Sequence, residues 1–209
     1  MYRNEPLEKY LQDAAAGTPT PGGGSAAALV GALATTMSSM SANFTVGREK
    51  FKQYDSQLKK ILEECEKSRE TLLSLMEEDI KVYSGINNAY GLPKSTEAEK
   101  SKRSEEIQKA TIIAMEVPLK TTMCCLYILE LTYELVDIAN PNLISDVGVA
   151  GFLAEAALQC AKLNVEINLA AIKNQSLVEK AQNELSHAEE KAKTFFKEIQ
   201  EKVQKIIKG

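Results

Sequence analysis

"LKKILEECEKSRETLLSLMEEDIKVYSGI", Leu58–Ile86, carries apolar residues at Leu58, Ile61, Leu62, Cys65, Leu72, Met76, Ile80, Tyr83 and Ile86. Apart from one adjacent pair, the steps are three, four and seven residues, the period of one face of an α-helix. A strand would alternate at every second residue, and no convincing run of that kind occurs anywhere in the chain. This stretch predicts a helix over residues 50–90, with "GLPKST" (Gly91–Thr96) as its stop and the restart of the next.

Outward from it, the helical period recurs on both sides. Downstream, residues 97–138 read as helix, with Pro118 expected to kink it. "ANPN" (Ala139–Asn142) is a turn, and residues 143–175 are strongly apolar and helical. The last stretch, 177–208, is amphipathic through Val178, Ala181, Leu185, Ala188, Phe195, Ile199, Val203 and Ile206, with Lys and Glu opposite. Upstream, residues 25–45 form a helix whose Ala28, Gly31, Ala32 and Thr35 let a neighbouring backbone come close. Residues 5–15 make a short amphipathic helix with Leu7, Leu11 and Ala14 on one side. With no internal repeat and no low-complexity linker, the expected architecture is one all-α, up-and-down helical bundle over residues 1–209. Helices this long and apolar invite self-association.

The bulk properties narrow the function. The 209 residues suffice for a substantial core, and 26% charged against 44% hydrophobic residues describes an ordinary globular chain. Lys and Arg total 25 against 29 Asp and Glu, a net charge of −4, which argues against nucleic acid as a partner. The start, "MYRNEPLEKYLQ", has no signal-peptide core, and no apolar run approaches the ~20 residues of a membrane span. The expected compartment is therefore the cytoplasm, without a membrane partner. Cys65, Cys124, Cys125 and Cys160 show no metal-ligand spacing and read as reduced thiols, mostly in apolar helical context.

Three places resist a purely structural explanation. In "TPTPGGGSAAALVGALA", Thr18–Ala34, Pro19 and Pro21 stiffen a loop that Gly22, Gly23 and Gly24 then strip of side chains. Ser25 is a candidate N-cap, and the arrangement offers helix-terminal N–H groups to an anion or a carbonyl. The alternative is a flexible linker with a cap, but a linker has no need of prolines beside its glycines. No Gly-Lys-Ser/Thr follows and the Rossmann spacing is absent, so the loop is not a nucleotide P-loop. Asp79 lies between Met76 and Tyr83 on the apolar stripe, where desolvation would suit a carboxyl to proton transfer near neutral pH. The alternative for Asp79 is a stripe-edge carboxylate bonded to a neighbouring helix. Asn164 and Asn168 share one face of an otherwise apolar helix, an arrangement suited to reading a polar heterocycle. Asn140-Pro141 and Ser145-Asp146 read equally well as helix caps. His187, the only histidine, stands beside Glu189, Glu190 and Lys191 on a surface-like helix. With a single histidine, a Ser-His-Asp hydrolase and a histidine-rich metal site are both excluded.

"PTPGGGSAAAL", "LMEEDIKVYSGINNAYGLPK", "ATIIAMEVPL" and "NLISDVGVAGFLAEAALQCAKLNVEINL" resemble, in order and over nearly the whole chain, the cyclodeaminase/cyclohydrolase family. Its members are the cyclodeaminase half of formiminotransferase-cyclodeaminase and the stand-alone methenyltetrahydrofolate cyclohydrolases. The resemblance implies a homodimer or larger assembly and one-carbon chemistry on a tetrahydrofolate substrate, with no metal or other cofactor. It further implies Asp79 as proton carrier and Asp146 as a second carboxylate or pterin anchor. Pro21, Gly22, Gly23, Gly24, Ser25, Tyr83, Asn142, Ser145, Asn164 and Asn168 become the expected substrate contacts, with Lys94 meeting the glutamate tail. Two rivals stand beside this reading. A non-catalytic helical interaction module would tolerate bulk in the glycine loop and replacement of Asp79. An acyl-phosphate or nucleotide enzyme would need a lysine and magnesium-binding carboxylates at the loop, which has neither.

Overall fold

A computed structural model describes residues 1–209 as six α-helices without strands: α1 Leu7–Ala15, α2 Gly23–Asn43, α3 Asp55–Tyr90, α4 Glu97–Val136, α5 Ile144–Leu169 and α6 Gln175–Lys208. Three short 3₁₀ turns, Tyr2–Asn4, Glu49–Tyr54 and Pro141–Leu143, lie between or before them. Helices α2 to α5 form a closed ring in which each packs on the next and α5 returns to α2. Helix α6 lies outside the ring against α4 and α5. The ring's interior is filled by Leu58, Leu72, Ile128, Leu129, Leu135 and Leu158, all essentially without exposure.

The small-residue helix does what its composition predicts. Ala28, Gly31, Ala32 and Thr35 are buried, and α2 packs against three neighbours at once. At Gly31 an added Cβ would stand 3.0 Å from Cys125 Sγ and 3.2 Å from Leu72 Cδ1, so α2, α3 and α4 converge there only because the side chain is absent.

The helices differ in length, and that positions the site. Helix α2 has 21 residues against 36 in α3 and 40 in α4. At ~1.5 Å per residue these are about 32, 54 and 60 Å long. Helix α3 therefore runs on past the N-terminus of α2, leaving a space walled by α3, α4 and α5 and floored by the start of α2.

Several expectations are corrected. Leu7 and Leu11 of α1 are 62% and 56% exposed, and the residue this helix buries is Tyr10. Helix α5 ends at Leu169, because Asn174 caps α6 by accepting a hydrogen bond from Leu177 N–H. Residues 49–54 form a 3₁₀ turn, with α3 beginning at Asp55. Helix α4 runs from Glu97 to Val136 with Pro118 inside it, as expected, stopping two residues short of the expected end at 138. Cys65 and Cys125 are buried and Cys124 half-buried, whereas Cys160 is exposed. Against the expectation that no apolar run approaches span length, α4 and α5 are long and apolar enough to cross a membrane by length and composition. Here they are the two central helices whose apolar faces pack on each other and on α2 and α6.

Two glycines in helices give opposite expected outcomes. Gly31→Val overpacks the α2–α3–α4 contact and lowers stability by about 1–3 kcal/mol. Gly85→Ala, where an added Cβ meets nothing within 4 Å, raises it by about 0.5–1 kcal/mol through helix propensity. Urea unfolding of both variants checks the pair.

Candidate active site

The space beyond the N-terminus of α2 is a cavity of about 320 Å³. Pro19, Thr20 and Gly22–Gly24 form its floor, Asp79, Val82, Tyr83 and Ile86 of α3 one wall, and Ala114 of α4 with Asn164, Ile167 and Asn168 of α5 the other. The glycine segment, the stripe aspartate and the asparagine pair, more than fifty residues apart in sequence, thus meet around one volume.

Asp79 anchors the arrangement. Ser25 N–H, in the first turn of α2, donates to Asp79 Oδ2 at 2.9 Å. The carboxylate thus takes a helix-terminal donor and sits at the positive end of the α2 dipole. Gly24 permits this, since a Cβ there would collide with the Asp79 carboxylate. Gly23 does the same for Asn164, whose Nδ2 and Oδ1 would lie 3.3 and 3.4 Å from an added Cβ. Burial pushes the Asp79 carboxyl above its ordinary value, and the bond from Ser25 N–H opposes that shift without cancelling it.

A second layer holds the donor. Ser25 is fully buried and is not the N-cap; that position belongs to Gly22, and α2 starts at Gly23. The Ser25 hydroxyl instead accepts from Tyr10 Oη at 3.1 Å, which ties α1 to the first turn of α2. Burial and the nearby Asp79 charge both raise the Tyr10 pKa, so the phenol stays protonated.

On the α5 wall, Asn164 Nδ2 donates to Cys160 O at 2.8 Å and Asn168 Nδ2 to Asn164 O at 2.8 Å. Both amide nitrogens are thereby turned back onto their own helix. The polar groups that line the cavity include the two asparagine side chains, the Asp79 carboxylate and the backbone of Gly23 and Gly24 in the first turn of α2.

The formiminotransferase-cyclodeaminase family matches residues 6–187. The chain belongs to this family. It is 38% identical to a methenyltetrahydrofolate cyclohydrolase of Methylorubrum extorquens over 185 residues, 88% of this chain and 89% of that protein. It is 30% identical to the formimidoyltransferase-cyclodeaminase of Rattus norvegicus over 188 residues, 90% of this chain but 35% of the rat protein. A formiminotetrahydrofolate cyclodeaminase from Thermotoga maritima has the same fold, with a TM-score of 0.90 at 27% identity, over 99% of this chain and all of that one.

Not every family-implied contact lies in the cavity. Gly22, Gly23, Gly24, Asp79, Tyr83, Asn164 and Asn168 line it, whereas Pro21 is buried beneath the loop and Ser25 acts through its N–H. Asn142, Ser145 and Asp146 lie at the opposite end of α5. Asp146 and Asn164 are eighteen residues apart on one helix, about 27 Å along its axis, so within the chain Asp146 is not a second carboxylate at this site. Lys94 opens onto a separate depression with Lys100, Arg103, Ser104, Gln108 and Lys173. His187 is exposed on α6, away from the cavity. Thr20, Val82, Ala114 and Ile167 line the cavity without a sequence signal that names them, and Pro19 and Ile86, legible only as parts of the stiffened loop and the apolar stripe, line it too. Of these, Val82 could have been found from Asp79, being three residues along the same helical face.

The raised Asp79 pKa has a stability consequence of defined sign. Above that raised value, folding must bury an anion that the unfolded chain keeps in water. Below the ordinary value of 3.8 the group is protonated in both states and the cost disappears. Asp79→Asn, which keeps an oxygen for Ser25 N–H, therefore melts a few degrees above wild type at neutral pH. The gap closes as pH falls toward the ordinary carboxylate range. Thermal melts of both proteins across about pH 4 to 8 read this directly.

Proposed function

We propose that this chain is an enzyme that forms or opens the one-carbon bridge of tetrahydrofolate, as a formimidoyltetrahydrofolate cyclodeaminase or a methenyltetrahydrofolate cyclohydrolase. The observation that carries the reading is Asp79, a carboxyl whose pKa burial raises, at a helix N-terminus and in one cavity with two asparagines. The names of its relatives support the same chemistry, since both activities occur among them.

Both reactions pass through one tetrahedral carbon between the same two folate nitrogens. In cyclodeamination the arylamine nitrogen attacks the formimino carbon, and the resulting centre expels ammonia. That nitrogen leaves only when protonated, and protonated Asp79 supplies the proton. In hydrolysis of the methenyl bridge, water attacks the same carbon and the Asp79 carboxylate accepts its proton. One carbon–nitrogen bond then breaks, its nitrogen takes that proton from Asp79, and the hydroxyl proton leaves to solvent to give the formyl product. The Gly23 and Gly24 N–H groups and the asparagine oxygens hold the polar ring. Nothing besides the folate substrate enters the chemistry in this reading. The substrate's glutamate end reaches the depression at Lys94. Along α4 the cavity residue Ala114 and Ile107 of that depression are seven residues apart, about 10 Å.

The reading includes a homodimer in the cytoplasm. Val149, Phe152, Ala156, Cys160, Leu163 and Ile167 recur at three- and four-residue steps as an exposed apolar stripe along α5. Leu33, Met40 and Phe44 continue it on α2, the helix beside α5. A contiguous apolar face of this extent is characteristic of a subunit contact. Ile167 belongs both to the stripe and to the cavity wall, so a second copy seated there would also screen the site from water. Four cysteines with no disulfide between them fit a reducing compartment.

Asp79→Asn lowers both reaction rates together by ~10²–10⁴-fold, with little change in folate affinity, because the loss belongs to the transition state. The methenyl form absorbs in the near ultraviolet and the formimino and formyl forms do not. One spectrophotometer therefore follows both reactions, and comparing them on wild type identifies the preferred one. Near wild-type turnover in both would place the proton carrier elsewhere, whereas a wild type that turns over neither substrate favours the non-catalytic module. For assembly, Leu163→Glu, a charge in the middle of the α5 stripe, converts the dimer to monomer by light scattering at micromolar concentration. A wild type that is monomeric there contradicts the dimer.

A further inference from the structure

Helix α4, the longest in the protein, holds a proline in its interior, the position where proline is least favourable in any helix. Pro118 is buried and α4 continues on both sides of it. Lacking an N–H, it leaves the carbonyl of the residue four positions earlier without its helical donor, and that residue is Ala114. Ala114 is the one α4 residue that lines the cavity.

The surrounding hydrogen bonds single this carbonyl out. One turn on, Thr121 Oγ1 donates to Val117 O at 3.1 Å and Thr122 Oγ1 to Pro118 O at 2.9 Å, so the carbonyls next to the proline have side-chain donors of their own. The side-chain donor to Ala114 O is Asn168 Nδ2, at 3.4 Å, and that nitrogen makes its shorter bond, 2.8 Å, to Asn164 O. A carbonyl oxygen has two lone pairs, and here the usual helical donor is missing and the side-chain donor stands 3.4 Å away. Ala114 O and the two asparagines, each with an amide oxygen able to accept, lie together on the α4–α5 wall of the cavity that Asp79 lines from α3.

We infer that the Ala114 carbonyl is a binding acceptor for an N–H of the folate's pyrimidine ring, and that Pro118 is the residue that makes it available. The inference rests on the cavity being the folate site. The 2-amino-4-oxopyrimidine of a pterin presents neighbouring N–H donors on one edge, the complement of acceptors grouped on one wall. A helix of ordinary composition would bond all its carbonyls internally and offer none. Pro118 acts here as a positioning residue, through the backbone oxygen it leaves free.

Pro118→Ala and Pro118→Val both restore the missing N–H, the second keeping most of the buried volume. The experiment measures 5-formyltetrahydrofolate binding by calorimetry for wild type and both variants. It also records their melting temperatures and the hydrogen exchange of the new amide at position 118. The expected result is an affinity lower by about threefold to tenfold, the value of one neutral hydrogen bond. Melting temperatures stay equal to wild type or rise, and the new amide exchanges slowly because it bonds to Ala114 O. Unchanged affinity in either variant overturns the inference. So does an affinity loss that accompanies a lowered melting temperature in both, since Pro118 is then structural. A wild type that binds no 5-formyltetrahydrofolate removes the folate reading along with it, whereas a binding wild type with equally tight variants removes this inference alone.

Discussion

The hydrogen bond from Ser25 N–H to the Asp79 carboxylate is the constraint on which the site depends. It fixes the height at which α2 begins against α3, because the carboxylate can accept that N–H only when the first turn of α2 lies level with it. It requires glycine at position 24, where any side chain would occupy the carboxylate's place. It also sets the chemistry. Burial raises the carboxyl's pKa, and a single backbone donor at a helix N-terminus opposes that rise. A group that must both give and take a proton needs such a balance.

The fold was legible because helical periodicity over twenty to forty residues leaves no rival reading, and the long stripe of α3 alone excludes a sheet. The central site was legible for a related reason. A carboxylate on an apolar stripe, three consecutive glycines after two prolines, and paired amides on an apolar helix each violate a local rule, and such violations gather where function is. The errors have a common origin too. Ser25 has the chemistry of an N-cap, but one-dimensional reading could not show that Asp79, fifty-four residues away, already serves that helix end and leaves the serine hydroxyl for Tyr10. Asp146 is in the same helix as Asn164, yet the distance along a helix grows with every residue between them. Leu7 and Leu11 show periodicity without burial, because period reveals which residues share a face and not what covers it.

Unequal helix lengths explain how a tightly packed bundle comes to hold a polar cavity. Where α2 is present, four helices fill the interior with leucine and isoleucine, and the small residues of α2 bring them into contact. Where α2 has ended, α3, α4 and α5 continue with no fourth partner, and the faces they would have buried against it carry Asp79, Tyr83, Asn164 and Asn168 instead. Met76 is buried and Tyr83, seven residues along the same face, is partly exposed, so the transition from core to site occurs within two turns of α3.

The polarity of the cavity agrees with the charge of the species proposed to react there. A methenyl bridge between two folate nitrogens is a cation, and so is a formimino group at neutral pH. The walls meet such a ligand with one ionisable carboxyl and several carbonyl-type oxygens, and the helix-terminal N–H groups lie at the floor. Neither lysine nor arginine lines the volume, so no fixed positive charge opposes the cation. The cationic side chains gather instead in the depression containing Lys94, Lys100, Arg103 and Lys173, where an anionic tail belongs. A cationic one-carbon group also favours the ionised form of Asp79, whereas expelling ammonia needs the protonated form. With no second carboxylate lining the cavity, the proposed cycle asks the same Asp79 to change state within each turnover. A carboxyl whose pKa is raised by burial yet still held by one N–H bond is poised for that change.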